Sequence, residues 1–332
     1  MSCPPGFTRP GRAANRACAR SAAHSNAWRS RPHPHGGRIR AHPGGRTPSC
    51  RDPEYIELNP TLFRLPGCSQ IALELADGVL HLTLNRPAQR NAMTQTMLGE
   101  IDAALDAVAP HETVRAIVLR GAGGHFCAGG DIRDMQAAQD APVAGAADPL
   151  FALNRAFGRL VARVDAAPQV VIACLEGAVM GGGLGLACVS DIAIADRAAR
   201  FAMPETGLGL PPAQIAPFVV ARIGLAQARR LVLTGAALDG AEAARLGLVH
   251  FVTDEPEAMA ERLREQLTRV RRCAPRANRV SKDLLLKVGA MERDALLDQA
   301  ARSFAEAVRG DEGREGARAF LERRLPSWAA AD

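Results

Sequence analysis

Two glycine-rich loops, about fifty residues apart, most constrain how this chain folds. Each follows an apolar run typical of a buried strand; the first reads FCAGGD at 126–131 and the second reads GAVMGGG at 177–183. Glycine permits a positive φ and lets a ligand approach the backbone amides closely. Two such loops lying side by side can direct two N–H groups at one developing oxyanion. The pattern therefore predicts a scaffold of strands that carries an anion-stabilising site.

Strands and helices alternate through the middle of the chain. At 79–85 leucines alternate with polar residues, which predicts a strand, and 94–108 has the apolar spacing of a helix. Further strands are predicted at 114–120, 170–175 and 191–195, and further helices at 151–165 and 184–189. Residues 136–150 are predicted to form a loop or a mobile helix. Repeated strand–helix units favour a layered α/β architecture.

From about residue 212 onward the pattern is nearly all helical. Asp239 precedes a helix start, with Glu242 three residues on as in a capping box, and Pro256 suits a first helical turn. A further helix at 292–309 carries an apolar stripe that includes Leu297 and Phe304. Such stripes either cover the core or pack against other subunits, and both interpretations stay open.

The first 51 residues differ in charge from the rest. They contain ten arginines and no acidic residue, whereas the other 281 residues contain 31 basic and 35 acidic side chains. The composition is rich in Pro, Gly and Ser, so we predict a disordered extension over 1–68. It is an organelle transit peptide, a polyanion-binding arm, or the product of a start codon assigned too far upstream. The third interpretation is favoured, because arginine outnumbers lysine 39 to 2 as in a GC-rich genome.

Several common kinds of site have no support in the sequence. The eight cysteines show no CxxC spacing, and there is no GxGxxG, P-loop or GxSxG motif. No apolar stretch approaches the roughly 20 residues of a membrane-spanning helix. The body after residue 51 has a slight acidic excess, which gives no basis for binding nucleic acid. We therefore expect no metal, no nucleic-acid partner, no membrane association and a cytoplasmic location.

From about residue 79 to 328 the chain resembles the crotonase family, the enoyl-CoA hydratase/isomerase group. Several motifs carry the resemblance in order: LNRP at 84–87, NAM at 91–93, FCAGGD at 126–131, MGGG at 180–183, FAMPE at 201–205, ARLGLV at 244–249 and EGARAFL at 315–321. Each is weak alone, and together they are specific. The resemblance implies an α/β fold, a crotonase-type spiral of repeated ββα units. It implies a core over 69–255 and a helical region over 256–332 that forms trimers or hexamers.

The resemblance also implies roles for individual residues. The N–H groups of Gly130 and Gly182 would form an oxyanion hole for a thioester carbonyl, and Glu205 would be a catalytic acid/base. The remaining expected contacts are Arg86 and Arg90 with the CoA phosphates, Ala128, Asp131 and Ile132 along the adenine and pantetheine path, and Met180 and Gly185 in the acyl pocket. Coenzyme A is then part of the substrate, and no separate cofactor is expected.

One position departs from the family pattern. The second glutamate of the family hydratases is expected two residues after the MGGG run, where this chain has Gly185. Members with glycine there resemble hydratases of branched glutaconyl-CoA thioesters, as in the breakdown of acyclic terpenes or leucine. LGLPPAQIAPFV at 208–219 favours the same group. We expect the glycine to remove a charge that would repel the substrate carboxylate, and to leave room for a branch at C3.

The predicted reaction is addition of water across the C2=C3 bond of isohexenylglutaconyl-CoA or 3-methylglutaconyl-CoA. Two alternatives stay open. A Δ3–Δ2-enoyl-CoA isomerase of this family can work with a single glutamate, shuttling a proton between C2 and C4. A noncatalytic relative would bind acyl-CoA or RNA without turnover. The expected partners are the acyl-CoA substrate and further copies of the chain.

Overall fold

The computed structural model describes residues 64–143 and 148–329. The extension predicted over 1–68 therefore lies, as far as position 63, outside the described residues. No helix within the described ranges is long and apolar enough to cross a membrane.

Parallel strands form most of the main sheet. The described strands are β1 (Ile71–Ala76), β2 (Val79–Leu84), β3 (Ala116–Gly121), β4 (Val170–Leu175), β5 (Ala178–Met180), β6 (Ile192–Asp196), β7 (Arg200–Ala202) and β8 (Phe251–Thr253). The main sheet has the order β1-β2-β3-β4-β6-β8, and every neighbouring pair except β1 with β2 is parallel. Strands β5 and β7 form a separate parallel pair. Because β3 and β4 are parallel neighbours, the glycine loops that follow them leave the sheet at the same edge.

Helices cover both faces of the sheet. The described helices are α1 (Gln95–Val108), α2 (Ile132–Asp140), α3 (Pro149–Asp165), α4 (Gly182–Val189), α5 (Ala216–Thr234), α6 (Gly240–Arg245), α7 (Pro256–Arg271), α8 (Pro275–Leu286), α9 (Arg293–Arg309) and α10 (Asp311–Leu321). The larger buried cluster joins the sheet to α1, α3, α4 and α5. A smaller cluster on the opposite face joins it to α7 through Met259, Leu263 and Val270.

The predicted elements agree with the structure where a local pattern was strong. The strand predicted at 170–175 matches β4, and the helices predicted at 94–108 and 292–309 begin one residue later than expected. Asp239 caps α6 by accepting a hydrogen bond from Glu242 N–H at 2.8 Å, which confirms the predicted helix start. Part of the segment predicted as loop or mobile helix is the end of α2. Strands β1, β5, β7 and β8 were not predicted.

The C-terminal helices differ from the rest of the fold in their burial. Neither α8 nor α9 contains a buried residue. Within the α9 stripe, Leu297 and Phe304 are 60% and 72% exposed. The stripe therefore does not cover the core of its own chain, which removes one of the two interpretations of its pattern.

Candidate active site

Backbone hydrogen bonds join the two glycine loops. Cys127 N–H donates to Ala178 O at 2.9 Å, and Met180 N–H donates to Cys127 O at 2.9 Å. Phe126 N–H donates to Glu176 O at 2.8 Å. The first loop thus pairs with the start of the second like a short strand, and both loops become one rigid surface.

Two glycines at this junction have positive φ and close neighbours. Gly129 has a φ of +103°, and a Cβ there would lie 3.4 Å from Met180 O. Gly181 has a φ of +48°, and a Cβ there would lie 2.6 Å from Glu205 Oε1. A residue with a side chain would be strained at both positions. Glycine at 181 therefore allows the Glu205 carboxylate to approach the backbone of the second loop.

The N–H groups of Gly130 and Gly182 have no hydrogen-bond acceptor among the described residues. The N–H groups of the adjacent residues are hydrogen-bonded, since Asp131 N–H donates to Met93 O at 2.8 Å and Gly181 N–H donates to Ala202 O at 3.0 Å. Gly182 is the first residue of α4, where the helix leaves its N–H groups unpaired. An unpaired N–H group at a helix start attracts negative charge. The two loops thus present two unused donors.

Glu205 lies beside this surface on a 3-10 turn, Pro204–Leu208. One carboxylate oxygen, Oε1, faces Gly181, while the other, Oε2, is buried without a hydrogen-bond partner in the described part of the chain. Burial raises the pKa of Glu205 above its ordinary value, although a hydrogen bond from its own backbone N–H works in the opposite direction. A partly desolvated carboxylate with a free oxygen is suited to accept and release a proton.

The space next to Gly185 is filled, which corrects the expectation that this glycine leaves room for a substrate branch. A Cβ at Gly185 would lie 2.4 Å from Ile215 Cγ2. Ile215 is 3% exposed. The residue that the family pattern places here, a glutamate, has an isoleucine from a distant segment in its way. As the sequence predicts, Gly185 stands in place of the second carboxylate of the family pattern, and Glu205 is the first.

Two further apolar side chains lie over the start of α4. A Cβ at Gly182 would lie 2.6 Å from Met93 Cε and 2.9 Å from Phe157 Cζ. Phe157 Cζ would also lie 3.8 Å from a Cβ at Gly185. With Ile215, these side chains form an apolar wall along one face of α4. Met93 and Ile215 lie in motifs noted in the sequence, but sequence reasoning did not place any of the three at the site, because their positions depend on contacts between distant segments.

Arg86 and Asp131 form an ion pair with an N–O distance of 2.9 Å, and their side chains are only 15% and 7% exposed. Arg86 also donates to Ala92 O, and Asp131 caps α2 by accepting from Arg133 N–H at 2.9 Å. Burial works to raise the pKa of Asp131, but hydrogen bonds from Arg133 N–H and Arg86 outweigh it, so that the pKa falls below its ordinary value. The Arg86 guanidinium is thus engaged inside the protein, and its contact with a CoA phosphate stays a prediction.

The remaining predicted contacts, with CoA or in the acyl pocket, lie nearer the surface. Arg90 is exposed, and its carbonyl accepts a hydrogen bond from Ala128 N–H at 2.9 Å. Ile132 is 68% exposed at the start of α2, and Met180 is half-buried at the end of β5. The loops bring Arg90, Ala128 and Ile132 to one rim of the site, and their contacts with CoA stay a prediction.

Asn91 holds the first loop in place, a role that the sequence motif did not reveal. It is fully buried with a φ of +58°. Its side chain accepts from Arg86 N–H at 2.9 Å and donates to Ala122 O and His125 O at 2.9 and 2.6 Å. His125 in turn accepts from Ala178 N–H at 3.1 Å, which links the first loop to the second. A left-handed conformation favours asparagine or glycine, so its identity and backbone position are consistent.

Cys127 lies between the loops but is not suited to be a nucleophile. Burial raises the pKa of its thiol to about 12, with a smaller opposing effect from the hydrogen bond of Gly129 N–H. The thiol therefore stays protonated and unreactive at neutral pH. Across the described ranges, no group of three or more His, Cys, Asp or Glu is arranged to hold a metal ion.

Known proteins are similar to this chain in sequence and in fold. A solved structure of Pseudomonas aeruginosa AtuE is 58% identical, covers 79% of this chain and all of its own, and superposes with a TM-score of 0.77. The 1,2-epoxyphenylacetyl-CoA isomerase of Escherichia coli is 33% identical over 76% of this chain and 95% of its own. The short-chain-enoyl-CoA hydratase of Clostridium acetobutylicum is 30% identical over 77% and 96%. The predicted crotonase-type α/β fold is thereby confirmed.

A family model described as enoyl-CoA hydratase/isomerase matches residues 74–331. That range includes both glycine loops, Glu205 and all ten described helices. The chain therefore belongs to the enoyl-CoA hydratase/isomerase family.

Proposed function

We propose that this chain is an acyl-CoA hydratase that adds water across the C2=C3 bond of a branched glutaconyl-CoA thioester. The observation that carries the proposal is one surface with two unused donors, Gly130 N–H and Gly182 N–H, beside the half-buried carboxylate of Glu205, whose Oε2 is buried without a partner among the described residues. The substrate brings coenzyme A with it, and no separate cofactor is needed. Arg90, Ala128 and Ile132 are the proposed contacts for the CoA portion.

The two donors would stabilise the thioester enolate. Addition of the water oxygen to C3 moves an electron pair from the C2=C3 bond onto the carbonyl oxygen, which becomes an oxyanion. Each preorganised donor aimed at such an oxygen contributes about 2.7–4 kcal/mol to transition-state stabilisation. Gly182 adds the N-terminal end of α4, which favours negative charge at the same place.

Glu205 would carry out both proton transfers. Its carboxylate accepts a proton from the water as the oxygen bonds to C3. The protonated carboxyl then donates that proton to C2 as the enolate collapses to the thioester. Water is consumed, no other reactant is required, and Glu205 returns to its starting state. A pKa raised by burial suits a group that must hold the proton between the two steps.

The apolar wall along α4 supports a substrate with an apolar branch. Met93, Phe157 and Ile215 form an aliphatic and aromatic surface without a carboxylate. No protein charge there repels a substrate carboxylate, which itself would lie away from this apolar surface, in contact with water or a polar group. An apolar branch at C3 gains contacts with such a surface. This argument favours isohexenylglutaconyl-CoA or 3-methylglutaconyl-CoA over unbranched enoyl thioesters.

The test is turnover measured by mass spectrometry with isohexenylglutaconyl-CoA, 3-methylglutaconyl-CoA and crotonyl-CoA. We expect the glutaconyl thioesters to gain the mass of one water molecule, and we expect Glu205→Gln to abolish the gain. Glu261→Gln, an exposed glutamate on α7, is the matched control and should leave turnover unchanged. Absence of any hydrated product with the wild-type protein would overturn the proposal.

A second function, Δ3–Δ2-enoyl-CoA isomerisation, is favoured by one observation. Ile215 fills the position of the second carboxylate, and a single carboxylate is sufficient to move a proton between C2 and C4. The two reactions are distinguished with a 3-enoyl thioester. Isomerisation creates the conjugated enoyl absorbance without a change in mass, whereas hydration removes that absorbance and adds water. Binding without either change would indicate a noncatalytic protein.

A further inference from the structure

A small cavity lies where helix α8 meets the main sheet. It has a volume of about 20 Å³, and its lining includes His111, Arg115 and Gln169 from the core together with Arg276 and Arg279 from α8. Arg115 directly precedes β3 and Gln169 directly precedes β4, so the cavity lies at the amino ends of these strands. The glycine loops follow the carboxyl ends, and each strand of 6 residues spans about 20 Å. The cavity is therefore separate from the candidate active site.

Two half-buried guanidinium groups in this lining have no carboxylate partner. Arg115 donates to the carbonyl oxygens of Cys273 and Val270, the latter at 3.4 Å. Arg279 donates to Ala109 O at 2.6 Å. Neither arginine forms an ion pair with a residue that the structure describes, and only Nη2 of each donates, so most of their N–H groups stay unused. A cation that is partly removed from water needs a counter-charge.

The carboxylates around this lining are engaged with other groups. Glu112, itself part of the lining, pairs with Arg276 at an N–O distance of 2.7 Å. Glu312 of α10 accepts from Arg276 N–H at 3.0 Å and from Ala277 N–H at 3.2 Å, at the start of α8. Burial lowers the pKa of Arg115 below its ordinary value, although the charge of Glu312 works in the opposite direction. The charge of Arg115 is therefore only partly compensated within the described part of the chain.

The lining also contains a hydrogen-bond acceptor without a donor. Gln169 is 4% exposed, and its Nε2 donates to Val108 O at 2.7 Å. Its Oε1 is buried without a hydrogen-bond partner among the described residues, which is unfavourable. A ligand that suits this lining offers negative oxygen atoms to the guanidinium groups and one O–H group to Gln169. Hydrogen phosphate has both, whereas chloride and sulfate have no proton to donate at neutral pH.

We propose that this cavity binds a small protonated oxyanion, and that inorganic phosphate is the ion whose charge, donors and size match it. Arg115 and Arg279 hold its negative oxygen atoms, and its O–H donates to Gln169 Oε1. The paired N–H groups of a guanidinium match the oxygen atoms of phosphate in geometry. A volume of about 20 Å³ leaves no room for a nucleotide or for coenzyme A. The inference does not depend on the acyl-CoA reaction.

The bound ion joins α8 to the rest of the chain. Arg115 belongs to the segment before β3 and Arg279 belongs to α8, so one ion between them bridges both parts. Helix α8 contains no buried residue and meets the core through polar contacts, such as the ion pair of Lys282 with Asp191 at 2.7 Å. An ion that binds only the folded state stabilises that state by mass action. We therefore expect phosphate to raise the thermal stability of the protein.

The experiment titrates the full chain with sodium phosphate at neutral pH and constant ionic strength, by calorimetry and by thermal unfolding. We expect saturable binding of phosphate and a rise in Tm. Sulfate should bind at least about tenfold more weakly, because it has no O–H for Gln169. Arg115→Gln and Arg279→Gln should each weaken phosphate binding at least about tenfold. Absence of saturable phosphate binding by the wild type would overturn the inference, and equal affinity for sulfate would overturn the contact with Gln169.

Two controls separate this cavity from other places that attract phosphate. Arg302→Gln removes an exposed arginine of α9 that forms no ion pair within the described ranges, and it should leave the Kd for phosphate unchanged. An excess of coenzyme A occupies any site for acyl-CoA phosphates, and it should also leave that Kd unchanged. Weakening by Arg302→Gln equal to that by Arg115→Gln, or competition by coenzyme A, would place the phosphate elsewhere, against the inference.

A milder variant covers the case in which Arg115→Gln does not fold. Arg279→Lys keeps the positive charge on α8 but removes the paired donors of the guanidinium. We expect its Tm without phosphate to stay close to that of the wild type, and its affinity for phosphate to lie between those of the wild type and Arg279→Gln. Identical phosphate affinity in all three proteins would mean that Arg279 does not hold the ion, against the inference.

Discussion

Helices α4 and α9 both carry large apolar side chains, but they differ in how far these side chains are buried. Every residue of α4 from Gly183 to Val189 is buried, whereas α9 contains no buried residue. Helix α4 is apolar all round, which is typical of a helix inside a core. Helix α9 has an apolar stripe on a polar helix, and the stripe faces outward. Helix α4 is thus buried within its own chain, whereas the apolar stripe of α9 is not covered by its own chain.

The difference has a functional consequence. Because α4 is packed on every side, the N–H of Gly182 at its start is held rigidly, as an oxyanion-stabilising donor must be. The exposed side chains of α9, among them Leu297 and Phe304, form an apolar surface of the kind that contacts between subunits cover. We expect changes to α4 or Glu205 to affect chemistry, and changes to α9 to affect assembly.

The largest effect is expected from Glu205→Gln. The substitution keeps the shape of the side chain but removes the group that accepts and donates the proton. Loss of a general acid/base lowers kcat by about 10²- to 10⁴-fold, and the loss should lie near the upper end if one carboxylate performs both transfers. Steady-state kinetics on the accepted thioester measure it. A loss below tenfold would mean that another group moves the proton.

The next largest effect is expected from Gly183→Ala in α4. A Cβ there would lie 2.7 Å from both the Cβ and the carbonyl oxygen of Cys127, so the first loop has to move away from α4. Loss of one oxyanion donor lowers kcat by about 10²- to 10³-fold. Gly99→Ala in α1 is the control, since no heavy atom in the described part of the chain lies within 4 Å of that Cβ apart from its own stretch of helix. If both variants keep full activity, the spacing of the loops does not matter.

Phe304→Glu tests the other half of the comparison. Phe304 is 72% exposed on α9, so a charge there costs little within one chain but disrupts a contact that buries the stripe. We expect light scattering to report an assembly of several 35.1 kDa chains for the wild type and a lower mass for the variant. Its kcat should fall far less than that of Gly183→Ala. A wild-type protein that is monomeric would contradict this expectation.

The smallest effect is expected on the thermal stability of Glu205→Gln and on its dependence on pH. Burial raises the pKa of Glu205 in the folded chain above its value in the unfolded chain. Its contribution to stability is therefore fully present below the unfolded pKa and is lost as pH rises through the folded pKa. We expect Glu205→Gln to have a higher Tm than wild type at neutral pH, with the difference shrinking in acid. Thermal unfolding of both proteins across pH measures it, and a constant difference would argue against a raised pKa.

Much of the fold and part of the site were predictable because they depend on local pattern. Strand β4, helix α1 and the Asp239 cap follow from apolar spacing and capping residues close together in the chain. Strands β5, β7 and β8 have three residues each, too short for a periodic signal, and they exist because neighbours pair with them. Asp131 caps α2 by a local hydrogen bond from Arg133 N–H, whereas its ion pair with Arg86, forty-five residues away, is a contact that local pattern does not reveal.

The sequence by itself determined where backbone donors and a carboxylate occur: the glycines after β3 and β4, and Glu205 after Pro204. These features are local, because a glycine permits positive φ at its own position and a tight turn depends on a few adjacent residues. Only the tertiary structure decided what surrounds them. Ile215 reaches Gly185 across thirty residues of chain. That contact shows why a side chain does not fit at position 185. It is brought about by packing between distant segments, which the local sequence does not reveal.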